Sequence, residues 1–133
     1  MTPQEKTITI DGQQVRMRYC LGAECTFERM TGHSIGVFWP TFKKNGDSFV
    51  VDKPATADRL DNIYLGYACI LAAYENTSEE APFKDSYLLY DAPSDVYPIL
   101  TNATTELLLA YYKMPDVVKS EDDNKQSEDS KNA

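Results

Sequence analysis

The groups that usually carry enzyme chemistry are scarce in this chain. It has one histidine, His33, and its six glycines form no spacing typical of a phosphate-binding loop. A histidine can act as a general base beside a cysteine, but directly after a helix end it is more often an ordinary polar residue. The acidic pairs at 79–80 and 122–123 fall in a predicted connector and a predicted tail, where charge is simply solvated. The sequence therefore predicts a protein that is not an enzyme and has no catalytic residue and no cofactor.

Basic residues are also in short supply. The 13 lysines and arginines are outnumbered by 21 aspartates and glutamates, which gives a formal net charge of −8. Nucleic acids and anionic membrane surfaces both attract basic proteins, so neither is an expected partner. No apolar run approaches the roughly 18 residues of a membrane span, and the first residues lack the apolar core of a signal peptide. We therefore expect a soluble, cytoplasmic protein.

Cysteine is limited to Cys20, Cys25 and Cys69. An odd number leaves at least one thiol unpaired within the chain, which suits a reducing compartment. A metal site that combines Cys20, Cys25 and His33 would need a second closely spaced pair of ligands, and the sequence offers none. The cysteines are interpreted as small apolar side chains, and no metal site is predicted.

The clearest structural signal is an Asp-Gly pair, Asp11 and Gly12, flanked by two runs of alternating apolar and polar residues. This pattern is typical of a β-hairpin with a two-residue loop, in which Ile8 faces Val15. One face of the hairpin then holds Ile8, Ile10, Val15, Met17 and Tyr19. A slip of one residue would expose this whole set, so the pattern fixes the register.

A helix is predicted directly after the hairpin. Its apolar stripe has spacings of 3, 4 and 3 and consists of Cys20, Ala23, Phe27 and Met30. Gly32 supplies the left-handed residue that commonly ends a helix. Because two strands alone are only marginally stable, we expect the hairpin and this helix to pack on each other.

Three further helices are predicted. The longest opens at Pro54 with Thr56 as its N-cap, and its stripe is Leu60, Ile63, Tyr64, Tyr67, Leu71 and Tyr74. It is apolar nearly all round, which is typical of a central element or an oligomer contact. A short helix over Phe83–Asp91 has the stripe Phe83, Tyr87 and Tyr90. The last helix runs from Asp95 to Met114, with Ser94 as its N-cap and the stripe Leu100, Ala103, Leu107, Ala110 and Met114.

Residues 37–52 carry a weaker pattern that predicts either a second, irregular hairpin or a lid over the core. Residues 119–133 are polar and charged apart from the terminal alanine, so they are expected to form a disordered acidic tail. The predicted fold is thus α+β, an N-terminal β-hairpin packed on three to four α-helices, in a single domain over residues 1–118.

Tyrosine is the residue that stands out, with nine in the chain. Five of them fall late in the sequence and are the candidate partner-binding residues: Tyr87, Tyr90, Tyr97, Tyr111 and Tyr112. Tyrosine offers a large contact area with a polar tip and is enriched at protein interfaces. The same residues could instead rim a small core, and the sequence does not decide between the two interpretations.

The segment from Ile8 to Ile35 resembles the N-terminal region of tail assembly chaperones of long-tailed bacteriophages. The residues that carry the resemblance follow the glycine turn of the hairpin. They are the helix start Leu21-Gly22-Ala23, the pair Phe27-Glu28 and the exit Thr31-Gly32-His33-Ser34-Ile35. The later order of a hydrophobic helix, an acidic connector and further helices is similar as well.

This resemblance implies a non-enzymatic phage or prophage protein that acts in the cytoplasm of the bacterial host. Such a chaperone binds the long helical tape measure protein, keeps its apolar helices soluble and recruits the tail tube protein, which assists assembly of the tail tube. A longer form made by translational frameshift near the C-terminus is also common in the family. The alternative is a small protein-binding adaptor or oligomerising module of a mobile genetic element, and either protein could form a homo-oligomer.

Overall fold

A computed structural model describes residues 4–113 of the chain. Its strands are β1 (Gln4–Ile10), β2 (Gln13–Tyr19), β3 (Thr41–Asn45) and β4 (Ser48–Lys53). Its helices are α1 (Leu21–Thr31), α2 (Arg59–Tyr74) and α3 (Val96–Tyr111), with a 3-10 turn at Ile35–Phe38 and a π turn at Tyr87–Asp91. The predicted α+β class is confirmed. The predicted domain end at residue 118 and the acidic tail at 119–133 lie outside the described residues.

The first hairpin has the predicted register. Ile8 pairs with Val15, and Ile10 pairs with Gln13 across the turn. Asp11 and Gly12 have φ angles of 52° and 79°, the left-handed geometry that a two-residue turn of this kind requires. The five predicted inward side chains are all buried.

The partner of the hairpin differs from the prediction. Strand β2 packs mainly on α2 and strand β1 on α3, whereas α1 packs mainly against α2 and touches β2 only slightly. Ala23 and Phe27 of the predicted α1 stripe are buried, but Met30 is 40% exposed. Glu24 takes an inward position, which shifts the buried face of α1 toward it and leaves Met30 at the edge.

Helix α2 is the central element, one of the two alternatives predicted for it: nine of its 16 residues are buried, and β2, α1 and α3 all pack against it. Its predicted N-cap, Thr56, is wrong, since the helix begins after Asp58. The N–H groups of Thr56 and Ala57 both donate to the carbonyl of Val37, which holds this segment extended. The cap is instead a reciprocal pair in which Asp58 and Asp61 each accept from the other's backbone N–H.

The predicted short helix is a single π turn, in which the N–H of Ala92 donates to the carbonyl of Tyr87. This wider turn points Leu88 inward and leaves Tyr90 82% exposed, so the predicted stripe is wrong at Tyr90, whereas Phe83 and Tyr87 are half-buried and pack against the core. Helix α3 follows with Asp95 rather than Ser94 at its N-cap, because the N–H of Val96 closes a turn onto the carbonyl of Pro93.

The stripe of α3 is confirmed in part. Leu100, Ala103 and Leu107 are buried, whereas Ala110 is exposed. The helix ends at Tyr111, three residues before the predicted end at Met114, because Lys113 turns the chain with a left-handed φ of 57°. Met114 itself lies outside the described residues.

Strands β3 and β4 form the second hairpin, one of the two alternatives predicted for this region. They pair only with each other among residues 4–113, and all their residues are exposed, so they do not cover the core as a lid would. The bonds from Thr56 and Ala57 to Val37 join the two chain segments at the base of this hairpin.

Candidate partner-binding groove

An open groove of about 680 Å³ lies between the first half of α2 and the first half of α3. Its apolar lining comes from three elements and consists of Leu60, Ile63, Leu88, Leu89 and Pro98. Its polar lining is Arg59, Asn62, Tyr97, Thr101, Asn102 and Thr105. An apolar floor with polar groups at the margin is typical of a binding site.

Two contacts hold together the elements that line the groove. Gly66 of α2 has no side chain, and this lets the buried Leu100 of α3 approach the α2 backbone closely. The hydroxyl of Tyr97 donates a hydrogen bond of 2.6 Å to the carbonyl of Leu88. This bond fastens the π turn to α3, so that Leu88 and Leu89 form one end of the groove.

A smaller cavity of about 140 Å³ continues the groove along the same two helices. The two cavities share Asn62 and Thr105, and the smaller one ends at Phe38 and Trp39. The groove therefore runs from the π turn, past the middle of α3, to the segment that leads into β3.

An aromatic cluster that includes Trp39 lies beyond this end of the groove. The ring centroids of Trp39 and Tyr112 are 5.3 Å apart, and those of Tyr19 and Tyr111 are 4.9 Å apart. Glu24 lies beneath this cluster with only 8% of its surface exposed. One of its carboxylate oxygens accepts hydrogen bonds from the hydroxyls of Tyr19, at 2.7 Å, and Tyr112.

The tyrosine hydroxyls are held in their neutral form by this arrangement. Burial and the hydrogen bond to Glu24 raise the pKa of Tyr19 above its ordinary value. The same two causes raise the pKa of Tyr112 to about 12. Ionising either ring would place a second negative charge beside a buried carboxylate. The role of the cluster is structural, because its contacts join α1, β2 and α3.

The structure places the five predicted tyrosines in two groups. Tyr111 and Tyr112 belong to the aromatic cluster, where they pack on Tyr19, while the other three lie at the π turn and the start of α3. Of those three, Tyr97 lines the groove. The ring centroids of Tyr87 and Phe83 are 4.9 Å apart, and Tyr90 is exposed. Packing therefore explains four of the five, and Tyr90 is the one left without such a role.

Sequence reasoning missed the apolar lining of the groove and one contact between the side chains of His33 and Asp61. Leu60 belongs to the predicted α2 stripe, yet it lies 51% exposed at the groove. His33, interpreted as an ordinary polar residue, has its Nδ1 atom 2.7 Å from Oδ1 of the buried Asp61. Because Asp61 also caps α2, this contact ties the end of α1 to the start of α2.

The three cysteines differ in how far they are buried. Cys69 is buried, Cys20 is half-buried and Cys25 is exposed, so only one of the three matches the predicted small core side chain fully. Burial raises the pKa of the Cys69 thiol, which makes it unreactive. Within residues 4–113, no group of three or more histidine, cysteine, aspartate or glutamate side chains is arranged to hold a metal ion.

Comparisons with protein-family models, with curated proteins and with solved structures give no match. None of the helices described in residues 4–113 has both the length and the apolar character needed to cross a bilayer.

Proposed function

We propose that this protein is a non-enzymatic tail assembly chaperone of a phage or prophage, which binds the long helical tape measure protein and assists tail tube assembly. The observation that carries the proposal is the open groove between α2 and α3. The resemblance of Ile8–Ile35 to such chaperones supplies the identity of the partner.

The groove fits a helix better than it fits an extended peptide. Two packed helices line it, and its lining combines apolar side chains of α2, the π turn and α3 with polar ones. An amphipathic helix binds such a groove through anchors spaced three or four residues apart. A strand, in contrast, needs a sheet edge, and the groove has helices on both sides.

The binding energy comes mainly from apolar contact. Arg59 is the one charged residue in the lining of the groove. Burial of apolar surface is insensitive to moderate salt, whereas contacts between exposed charges are screened within about 10 Å at 0.1 M. Capture of the partner should therefore persist when salt is raised.

The test is co-expression and pull-down with the tape measure protein, the long helical protein that the proposal requires to be encoded beside this gene. Leu60→Asp places a charge in the groove, yet it should not harm α2, because aspartate is favourable in the first turn of a helix. We expect this variant to lose most of the captured partner and to leave that partner insoluble. Leu21→Asp is the matched control, since Leu21 is 65% exposed in the first turn of α1 and lies outside the groove.

Capture that is equal for both variants would show that the groove is not the binding site. No complex with the wild-type protein would reject the chaperone function itself. The remaining candidate would then be a small adaptor or oligomerising module of a mobile element, which the exposed second hairpin favours. An adaptor would not need a neighbouring gene that encodes a very long helical protein, whereas the chaperone does.

A further inference from the structure

The smaller cavity lies beside the last turn of helix α3. Its lining is apolar apart from three polar side chains, and the apolar residues are Phe38, Trp39, Leu65, Leu108 and Leu109. Its volume of about 140 Å³ is close to that of an engineered cavity of about 150 Å³ in another protein, which binds one benzene molecule. One long apolar side chain is therefore enough to occupy it.

The end of α3 has the hydrogen bonding that turns a chain back onto its helix. Lys113 follows the helix end with a left-handed φ of 57°. Its N–H group donates to the carbonyl of Ala110 at 3.1 Å, which is one of the two bonds of a Schellman motif. In that motif the next residue, here Met114, commonly packs on the side chains five and six positions before it. Those side chains are Leu109 and Leu108, and both line the smaller cavity.

The sequence beyond α3 suits this position. Met114 is followed by Pro115, and a proline disfavours helical backbone in the residue before it, so α3 cannot continue. Met114, Val117 and Val118 are apolar, whereas residues 119–133 are polar or charged except for the terminal alanine. The last apolar side chains of the sequence thus follow directly after the helical turn that lines the smaller cavity.

We infer that the smaller cavity is occupied by the next segment of this same chain, residues 114–118, with the Met114 side chain beside Trp39 and Leu109. Methionine is unbranched and flexible, and its sulfur makes favourable contacts with aromatic rings, of which this cavity has two. The segment is joined directly to α3, so its binding is intramolecular and has a high effective concentration. Any separate molecule has to compete with it there.

The consequence for the groove rests on the proposed function. The two cavities share Asn62 and Thr105, so a partner helix that follows the whole groove has to displace the segment. Only the fraction of molecules whose smaller cavity is free can bind such a helix along its full length. Residues 114–118 therefore lower the apparent affinity of the groove for its partner.

Fluorescence of Trp39 tests the inference on the full chain, because this residue lines the smaller cavity and the sequence has no other tryptophan. Met114→Ser should shift the emission to longer wavelength and make it more easily quenched by iodide. Met114→Leu, which keeps a long apolar side chain, should resemble the wild type. Met30→Ser is the control, since Met30 is 40% exposed on α1 and lies outside the cavity, and it should change neither property.

Nuclear magnetic resonance gives a direct measurement on the wild-type chain with 13C-labelled methionine methyl groups. The Met114 methyl group should show nuclear Overhauser contacts with the indole ring of Trp39 and with the methyl groups of Leu109. Absence of these contacts would overturn the inference. So would an emission of Met114→Ser that equals that of the wild type in both wavelength and quenching.

The pull-down separates this inference from the proposed function. If the wild type captures the tape measure protein, Met114→Ser should capture several-fold more of it at equal, limiting concentrations. Equal capture would overturn the competition between the segment and the partner. No capture by either protein would reject the proposed function, whereas the methyl contacts, measured on the isolated chain, test the occupant of the cavity by themselves.

Discussion

Gly66 of α2 faces Leu100 of α3 so closely that a Cβ atom added at position 66 would lie 2.7 Å from Cγ of Leu100. Alanine normally stabilises a helix interior by about 1 kcal/mol relative to glycine. Leu100 is fully buried and cannot swing aside, so here we expect Gly66→Ala to destabilise the protein by about 1–3 kcal/mol. Denaturant unfolding measures the change.

The control for this prediction is the double variant Gly66→Ala with Leu100→Ala. Removing the leucine makes room for the new methyl group, so the double variant should lose less stability than the two single changes added together. A rise in the unfolding midpoint for Gly66→Ala alone would show that the two helices are not packed this closely.

The turn of the first hairpin makes a second prediction. Gly12 has a φ of 79°, which a β-branched residue adopts only with strain. We expect Gly12→Val to cost about 1–3 kcal/mol of unfolding free energy. Gln13→Val, one position later and inside β2, should cost much less, because valine suits a strand. Equal midpoints for Gly12→Val and the wild type would contradict the turn.

The buried face of α1 can be tested with two residues three positions apart. Phe27 is fully buried, with its ring centroid 5.4 Å from that of Phe38, whereas Met30 is 40% exposed. Phe27→Ala should cost about 3–5 kcal/mol in a denaturant melt. Met30→Ala should change stability by less than about 0.5 kcal/mol. Similar losses for both would mean that the original stripe, with Met30 inside, is right.

Local patterns in the sequence account for much of this fold. The turn residues Asp11 and Gly12 and the strict alternation around them fix the register of the first hairpin, because any other register exposes its apolar side chains. The unbroken apolar character of α2 likewise identifies the central helix. Both signals come from residues close together in the chain, which is why the sequence alone reveals them.

The groove and its surroundings depend on contacts between distant residues. Glu24 lies beside the predicted apolar stripe of α1 rather than on it, yet it is buried, where the hydroxyls of Tyr19 and of Tyr112, 88 positions away, donate to it. Each hydrogen bond of the π turn spans one residue more than in an α-helix. Leu88 therefore faces inward, at a place where α-helical spacing predicts that Tyr87 and Tyr90 do so. Neither effect leaves a periodic pattern in the sequence. The groove is lined by residues of α2, the π turn and α3, which only the folded chain brings together.

The bonds from Tyr19 and Tyr112 to Glu24 predict how stability depends on pH. The pKa of Tyr112 is raised in the folded protein, to about 12 from an ordinary value of 10.0, by burial first and by its hydrogen bond to Glu24 second. A raised pKa means that the folded state holds the proton more tightly than the unfolded state. The stabilisation is therefore complete below pH 10 and is lost as the pH rises toward 12.

Tyr112→Phe removes this hydroxyl and keeps the ring that packs on Trp39. At pH 7 the variant should be less stable than the wild type, by about 1–3 kcal/mol at most, because Glu24 loses one of its two tyrosine donors. That difference should shrink between pH 10 and pH 12, as the wild-type hydroxyl ionises. Tyr90→Phe, which changes an exposed hydroxyl, should follow the wild type at every pH. A difference between Tyr112→Phe and the wild type that stays constant across this range in urea unfolding would show that the hydrogen bond to Glu24 does not set the ionisation of Tyr112.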